Sequence, residues 1–210
     1  SSDVCSSDPS LKREYDKAIA DISAAIKITP STVLYHARTV LCEDLIEHDL
    51  SNAIEVAEDE KKYASLWFRG NYYKEKYLAN KEELHFLERA EEDYLKAITY
   101  ANDKECAYYE LSKFYEDVEN LENAIEACKT AIQTADETDN VLFLAKYTEQ
   151  LASLFYAAEK FDEAVDYATK AMDLNDNDHL LMHLLELRSD CYERLGEPFK
   201  AFEDKERLEH

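Results

Sequence analysis

The chain has 210 residues, of which 24 are Lys or Arg and 47 are Asp or Glu, so its formal net charge is −23. Such a field repels phosphate backbones and anionic lipid, so we expect no nucleic-acid and no membrane partner, whereas a basic protein segment would be attracted. Only 2 residues are Gly and 3 are Pro, too few for the turns of a β-protein, which favours an all-α chain.

The five cysteines include no C-x-x-C pair, which is typical of reduced thiols and predicts a cytoplasmic location. Four of them fall on apolar or small positions of predicted helices and are predicted to be core residues: Cys42, Cys106, Cys128 and Cys191. No apolar run approaches the roughly 18 residues of a membrane span.

The two ends of the chain differ from the rest. Residues 1–9 are small and polar, which indicates a disordered tail or a cloning artefact. Residues 10–29 predict a helix that ends at Thr29-Pro30, an orphan second helix without its first partner. Residues 208–210, Leu-Glu-His, resemble the remnant of an affinity tag.

Between these ends a two-helix unit recurs, at about 31–61, 62–101, 104–135, 139–174 and 178–208. Its first helix carries a large residue, another three later, a small residue four later and a large residue seven later. Its second helix starts on a small residue, which we place at Ala53, Ala90, Ala124, Ala164 and Ala201. Ser112 to Ala124, Ala152 to Ala164 and Ser189 to Ala201 share one spacing, which is not expected by chance.

The pattern Leu151, Ala152, Phe155 followed by Ala164, Ala168 and Ala171 resembles the tetratricopeptide repeat family, whose unit is a helix-turn-helix of about 34 residues. The resemblance implies an all-α, right-handed superhelix of antiparallel helix pairs, with about 11 helices in one domain over 10–208. Departures include Arg at three positions that the family fills with apolar groups. For these arginines we expect the stem to pack and the head to find a carboxylate: Arg38, Arg69 and Arg188.

In this family the first helices line a concave groove that binds peptides. The repeat register therefore predicts groove residues, with the aromatic members as anchors or, alternatively, as packing residues. They are Trp67, Asn71, Lys74, Tyr109, Lys113, Glu149, Tyr156 and Glu186. Some members of the family grip acidic chaperone tails with Lys, Asn and Arg at fixed positions. Here those positions hold His36, Val40, Phe68, Cys106 and Glu110, so that ligand is disfavoured.

Motifs for chemistry are missing from the sequence. Gly-rich phosphate loops and G-x-S-x-G are absent, so we predict no enzyme and no cofactor. His179 and His183 lie one turn apart near Glu186, but not in an H-E-x-x-H frame, so we predict no metal site. The leading hypothesis is a protein-protein interaction scaffold whose concave groove binds a peptide or helix of a partner, and a basic, polar or partly apolar segment is favoured. The alternatives are a regulatory array that responds to a small peptide or ligand, and a self-associating structural protein, so the oligomeric state is left open.

Overall fold

The computed structural model describes residues 9–41, 45–137, 143–174 and 178–208. In these ranges the chain forms eleven α-helices and no strand, which confirms the all-α prediction. The helices are α1 (Pro9–Ile28), α2 (Thr32–Thr39), α3 (Ile46–Val56), α4 (Asp59–Ala79), α5 (Leu84–Tyr100), α6 (Lys104–Asp117), α7 (Leu121–Glu137), α8 (Leu144–Ala157), α9 (Phe161–Asp173), α10 (Asp178–Arg194) and α11 (Pro198–Leu208). Residues 1–8, Cys42 and residues 209–210 lie outside the described ranges.

The helices group into two compact units, Ser1–Ala101 and Asn102–His210, and the single repeat domain over 10–208 stays a prediction. We call them unit 1 and unit 2. In unit 1, α1 packs against the pair α2/α3, and α3 packs against the pair α4/α5. In unit 2 the pairs are α6/α7, α8/α9 and α10/α11, and each helix packs against the next. The division falls between the predicted repeats 62–101 and 104–135, which places whole helix pairs in each unit.

Small side chains set the close packing of unit 2. Ala164, Ala168 and Ala171 lie on one face of α9 and are fully buried, which lets the helix backbones approach closely. Two of the three spacings of twelve residues coincide with a hydrogen bond. Ser112 Oγ donates to the carbonyl of Ala124 at 2.8 Å, and Ser189 Oγ donates to the carbonyl of Ala201 at 3.2 Å. In these two pairs the hydroxyl of the first helix tethers the start of the second helix, whereas Ala152 has no hydroxyl to do so.

The turns inside the three pairs of unit 2 share one geometry. Glu119, Glu159 and Gly196 each adopt a left-handed conformation, with φ of 63°, 57° and 76°. The next residue in each turn donates its N–H to a carbonyl five residues earlier, as Lys160 does to Phe155 at 2.9 Å. This αL ending satisfies carbonyls at the helix terminus and reverses the chain within a few residues.

Candidate functional site

Three arginines on first helices make the same three-helix contact. In unit 1, Arg38 on α2 donates from Nε and Nη2 to both oxygens of Asp49 on α3, at 2.6 and 2.5 Å. Its remaining amino group donates to Ser23 Oγ on α1 at 2.9 Å. The carboxylate of Asp49 is fully buried, so the guanidinium supplies the hydrogen bonds that water would otherwise provide. We call this arrangement the arginine clamp.

The arginine clamp occurs twice more. Arg69 on α4 holds Asp93 on α5 at 2.7 Å and donates to Ser51 on α3. In unit 2 the clamp joins α9, α10 and α11 through Thr169, Arg188 and Asp204. The expectation that these arginines find carboxylates is confirmed. The sequence did not reveal that each also reaches a hydroxyl on the preceding second helix.

The arginine clamp corrects the register of α3. Asp93 and Asp204 each lie three residues after the first small residue of their helix, Ala90 and Ala201. Asp49 makes the same contact, so the equivalent first position of α3 is Ile46. The prediction that Ala53 starts this pattern was wrong because Ala53 occupies the third small position, equivalent to Ala97, and both alanines are fully buried.

The predicted groove residues of unit 1 hold α4 against α5. The Trp67 ring meets Tyr94 edge-on, with centroids 4.4 Å apart, and stacks on Tyr63. Asn71 accepts a hydrogen bond from the Tyr94 hydroxyl at 2.8 Å. The Lys74 side chain is only 15% exposed, and its ammonium group lies 3.9 Å from Glu75. Each of Trp67, Asn71 and Lys74 thus contacts another residue of unit 1. Their role in binding a peptide stays a prediction.

The first helices of unit 1 expose an apolar surface instead. Val33 and Val40 on α2 are 75% and 83% exposed, and Phe68 on α4 is 54% exposed. The His36 ring meets Phe68 edge-on at 4.9 Å, and burial lowers the pKa of His36, which favours the neutral imidazole. Two of the residues at the chaperone-tail positions, Val40 and Phe68, are therefore apolar and accessible.

In unit 2 the structure corrects the placement of Tyr109. This residue was predicted to contact a peptide, but it is 5% exposed and packs in a core cluster with Ala131, Ala135 and Tyr147. Its position on α6 faces the neighbouring helices α7 and α8, so the ring is enclosed by protein. Lys113, which is exposed, places its ammonium group 5.9 Å from the centre of the Tyr109 ring.

Polar contacts join α6, α8 and α10 on the side where the predicted residues of unit 2 lie. Glu149 on α8 is 3.0 Å from His183 on α10, and Tyr156 on α8 donates a hydrogen bond to Asp190 on α10. Gln150 on α8 donates to Glu116 on α6 at 2.7 Å. Glu116 was not predicted, whereas the repeat register places His183 and Asp190 outward on their first helix without assigning them to peptide contact. Their positions in the repeat register, on the outward side of the first helices, were the sequence signal that could have identified them.

Carboxylates dominate this side of unit 2. Burial, and then the nearby charges of Glu110, Glu149 and Glu116, raise the pKa of Tyr109 to about 12. Glu186 is exposed one turn after His183 on α10. We call this surface of first helices the acidic face. It comprises Glu110, Glu116, Glu149, Glu186 and Asp190.

A cavity of about 600 Å³ lies between α7, α8 and α9, and its lining includes none of the predicted groove residues. Apolar side chains form much of its lining, namely Ile132, Leu144, Leu151, Tyr167 and Leu174. Charged groups complete it from the two second helices, with Lys129 and Asp136 on α7 and Lys170 and Asp173 on α9. Sequence analysis did not predict this cavity, because the lining positions carry no motif.

A model of the tetratricopeptide repeat family matches residues 103–177, the segment that contains α6 to α9 and their regular helix pairs. Residues 103–177 carry tetratricopeptide repeats. The predicted resemblance to this family is confirmed by the match and by structural neighbours with the same fold. No curated protein matches the chain in sequence.

Several solved structures share the tetratricopeptide fold. BtubC from P. vanneervenii superposes with a TM-score of 0.64 at 14% identity, covering 96% of this chain and 91% of that one. A putative kinesin light chain with nearly identical TPR-like repeats from Podospora anserina gives 0.60 at 14% identity, with coverages of 97% and 95%. The MamA protein gives 0.58 at 16% identity, with coverages of 93% and 90%. At these identities the likeness establishes the fold alone.

The described residues contain neither a candidate metal centre nor a helix that could span a membrane. Within those ranges, no group of three or more His, Cys, Asp or Glu side chains could hold a metal ion. None of the helices there is long and apolar enough to cross a membrane. Of the predicted core cysteines, Cys128 and Cys191 are buried, whereas Cys106 is exposed because it faces outward at the start of α6.

Proposed function

We propose that the chain is a protein-interaction scaffold and that the acidic face of unit 2 binds a basic segment of a partner protein. The tetratricopeptide fold is in general that of a protein-interaction scaffold. Three first helices stacked side by side offer an extended surface on which a peptide can lie across successive repeats.

The observation that carries this proposal is that carboxylates lie where neighbouring first helices of unit 2 meet. Contacts between these helices place Glu116, Glu149 and Asp190 there. Lys113 and Lys146 offset part of this negative charge. Their ammonium groups lie 5.9 and 4.9 Å from the centre of the Tyr109 ring. The cations of a basic peptide would displace these lysine side chains from the carboxylates. The net charge of −23 would attract such a peptide.

The same surface argues against the acidic tails of chaperones as ligands. Binding of a terminal carboxylate requires Lys, Asn or Arg side chains at the groove positions. Cys106 and Glu110 occupy the corresponding positions of α6, and Glu110 would repel a carboxylate. A basic or partly apolar segment fits the acidic face better.

The test is a charge reversal on the acidic face. The probe is a fluorescein-labelled, amidated peptide of four Arg-Leu repeats, and its anisotropy is measured with the full chain at low and moderate salt. We expect Glu149→Lys/Glu186→Lys to weaken binding at least tenfold, because two attractive charges become repulsive. Binding to the unaltered chain should weaken with added salt, as expected for exposed charges.

The matched control reverses two exposed carboxylates on second helices, Glu163 on α9 and Glu203 on α11. Glu163→Lys/Glu203→Lys changes the net charge by the same amount but leaves the acidic face intact. If both double variants lose binding equally, the interaction reports net charge only and the assignment to the acidic face is wrong. Circular dichroism of both variants checks that the helices are retained.

A second candidate function is a regulatory array that responds to a small peptide or ligand. The cavity between α7 and α9 favours it, because about 600 Å³ falls within the range of small-molecule sites. This cavity is built mainly by second helices and does not involve the acidic face.

A further inference from the structure

The cavity between α7 and α9 lies where the arginine clamp is missing. In the register of the repeats, Leu151 on α8 occupies the position of Arg38, Arg69 and Arg188. Lys129 on α7 and Tyr167 on α9 occupy the positions of the clamp hydroxyl and the clamp carboxylate. All three of these residues line the cavity.

The substitution changes the chemistry of this space. A clamp places a guanidinium and a carboxylate between two successive second helices, as Arg69 and Asp93 do. Leu151 is fully buried in the wall of the cavity and offers no polar group in their place. Where the other repeats have a contact between charged side chains, this repeat has a recess with an apolar wall.

Two exposed lysines, Lys129 and Lys170, line the end of the cavity at the clamp positions. The rings of Phe155 and Tyr167 stack with centroids 5.2 Å apart. Lys129 places its ammonium group 5.7 Å from the Phe155 ring, and Lys170 places its own 4.5 Å from the Tyr167 ring. Two ammonium groups thus flank one aromatic pair, a suitable place for a carboxylate.

The opposite end is anionic. Asp136 lies seven residues beyond Lys129 on α7, which is about 10 Å along a helix. Asp173 lies at the end of α9, and Leu144 at the start of α8 lines the cavity with them. The carbonyl ends of α7 and α9 also point toward this end, and their partial negative charge adds to that of the carboxylates. Asp173 additionally contributes to the raised pKa of Arg188, so Asp136 is the carboxylate more available to a ligand.

We propose that this cavity binds a short apolar peptide of about three residues with both termini free. The terminal carboxylate lies between Lys129 and Lys170, and the terminal ammonium group lies beside Asp136. Three extended residues span about 10 Å, which matches the separation of the two charged ends. Apolar side chains rest on Leu151, Leu144 and Ile132. The inference deepens the second candidate function and is independent of the acidic face.

The probe is trileucine, titrated into the full chain by isothermal titration calorimetry. We expect saturable one-to-one binding. Acetyl-trileucine and trileucine amide each lose one terminal charge and should bind at least tenfold more weakly. Equal affinity for the free and the capped peptides, or absence of one-to-one binding by trileucine, would overturn the proposal.

Two variants place the binding in the cavity. Lys129→Gln should reduce the preference for trileucine over its amide, whereas Lys160→Gln should not, because Lys160 lies near the same Phe155 ring but outside the cavity lining. The triple variant Lys129→Thr/Leu151→Arg/Tyr167→Asp copies the clamp residues Thr169, Arg188 and Asp204 and should abolish binding, because it removes Lys129 and the Tyr167 ring from the lining. Unchanged preference in Lys129→Gln would refute the assignment even if the triple variant fails to fold. Loss of arginine-peptide binding in the acidic-face variants would not affect this test.

Discussion

The arginine clamp of unit 1 allows a sharp prediction about stability. Arg69→Leu removes the guanidinium but leaves the Asp93 carboxylate, whose side chain is 4% exposed, without its ion pair. Breaking one partner of a buried ion pair costs about 3–5 kcal/mol, because the remaining charge is desolvated and uncompensated. Since the Arg69 side chain is 22% exposed, water can reach part of the site, and we expect the lower end of this range.

The chain itself supplies the compensating change. In the third helix pair the equivalent positions are Leu111 and Ala127, both buried and apolar. Arg69→Leu/Asp93→Ala copies that pair and leaves no buried charge. We expect the double variant to recover to within about 1 kcal/mol of the unaltered chain, because apolar replacements of buried ion pairs are often neutral or stabilising.

The assay is urea unfolding followed by the fluorescence of Trp67, the only tryptophan in the chain. Its ring contacts Tyr94, the residue after Asp93, so the signal reports on unit 1. The two single variants and the double variant form a thermodynamic cycle that isolates the coupling of Arg69 with Asp93. A loss below about 1 kcal/mol in Arg69→Leu, or a double variant as unstable as the single one, would refute the reasoning that a buried charge is left uncompensated.

Further predictions concern single sites. Glu159→Gly should raise the free energy of unfolding by about 0.5–1 kcal/mol, since Glu159 has a φ of 57° where the matching turn uses Gly196; an unchanged urea midpoint would contradict this. Burial raises the pKa of Cys128 to about 12 and that of Cys191 to about 11, so both thiols should resist iodoacetamide at pH 8 until the chain is unfolded, as mapped by mass spectrometry. The pKa of Tyr109 is about 12 when folded and about 10 when unfolded, so the unfolded state loses its proton first and stability should fall as pH rises from 10 to 12. Tyr109→Phe should flatten that fall in urea unfolding.

Much of the fold could be predicted because local patterns and tertiary contacts agree. The stripe Ala164, Ala168 and Ala171 indicated a helix face that packs closely, and all three residues are fully buried. The register of α3 was wrong because Ile46 replaces the usual small residue, so Ala53 looked like the start of the pattern. The contact between Arg38 and Asp49 reveals the true alignment. Such a contact between two helices cannot be read from the sequence of either helix alone.

The candidate site was less predictable, because a register assigns a face but not the neighbours that cover it. Tyr109 lay at a predicted groove position, yet α8 brings Tyr147 within 4.9 Å and encloses the ring. The cavity was missed for the opposite reason. It lies where the repeats differ, with Leu151 in place of arginine, and a search for similarity between repeats passes over such differences.

The arginine clamp also limits how such an array can be shortened by recombination. Removing α2 and α3 would bring α1 beside α4, where Ser23 takes the place of Ser51 and can still accept a bond from Arg69. Removing α8 and α9 would bring α7 beside α10 and set Lys129, in place of Thr169, against Arg188. The first deletion keeps a hydroxyl acceptor at the junction, and the second places two cations together. We therefore expect chimeras to fold when the second helix before the junction carries a Ser or Thr at the position that the following arginine contacts.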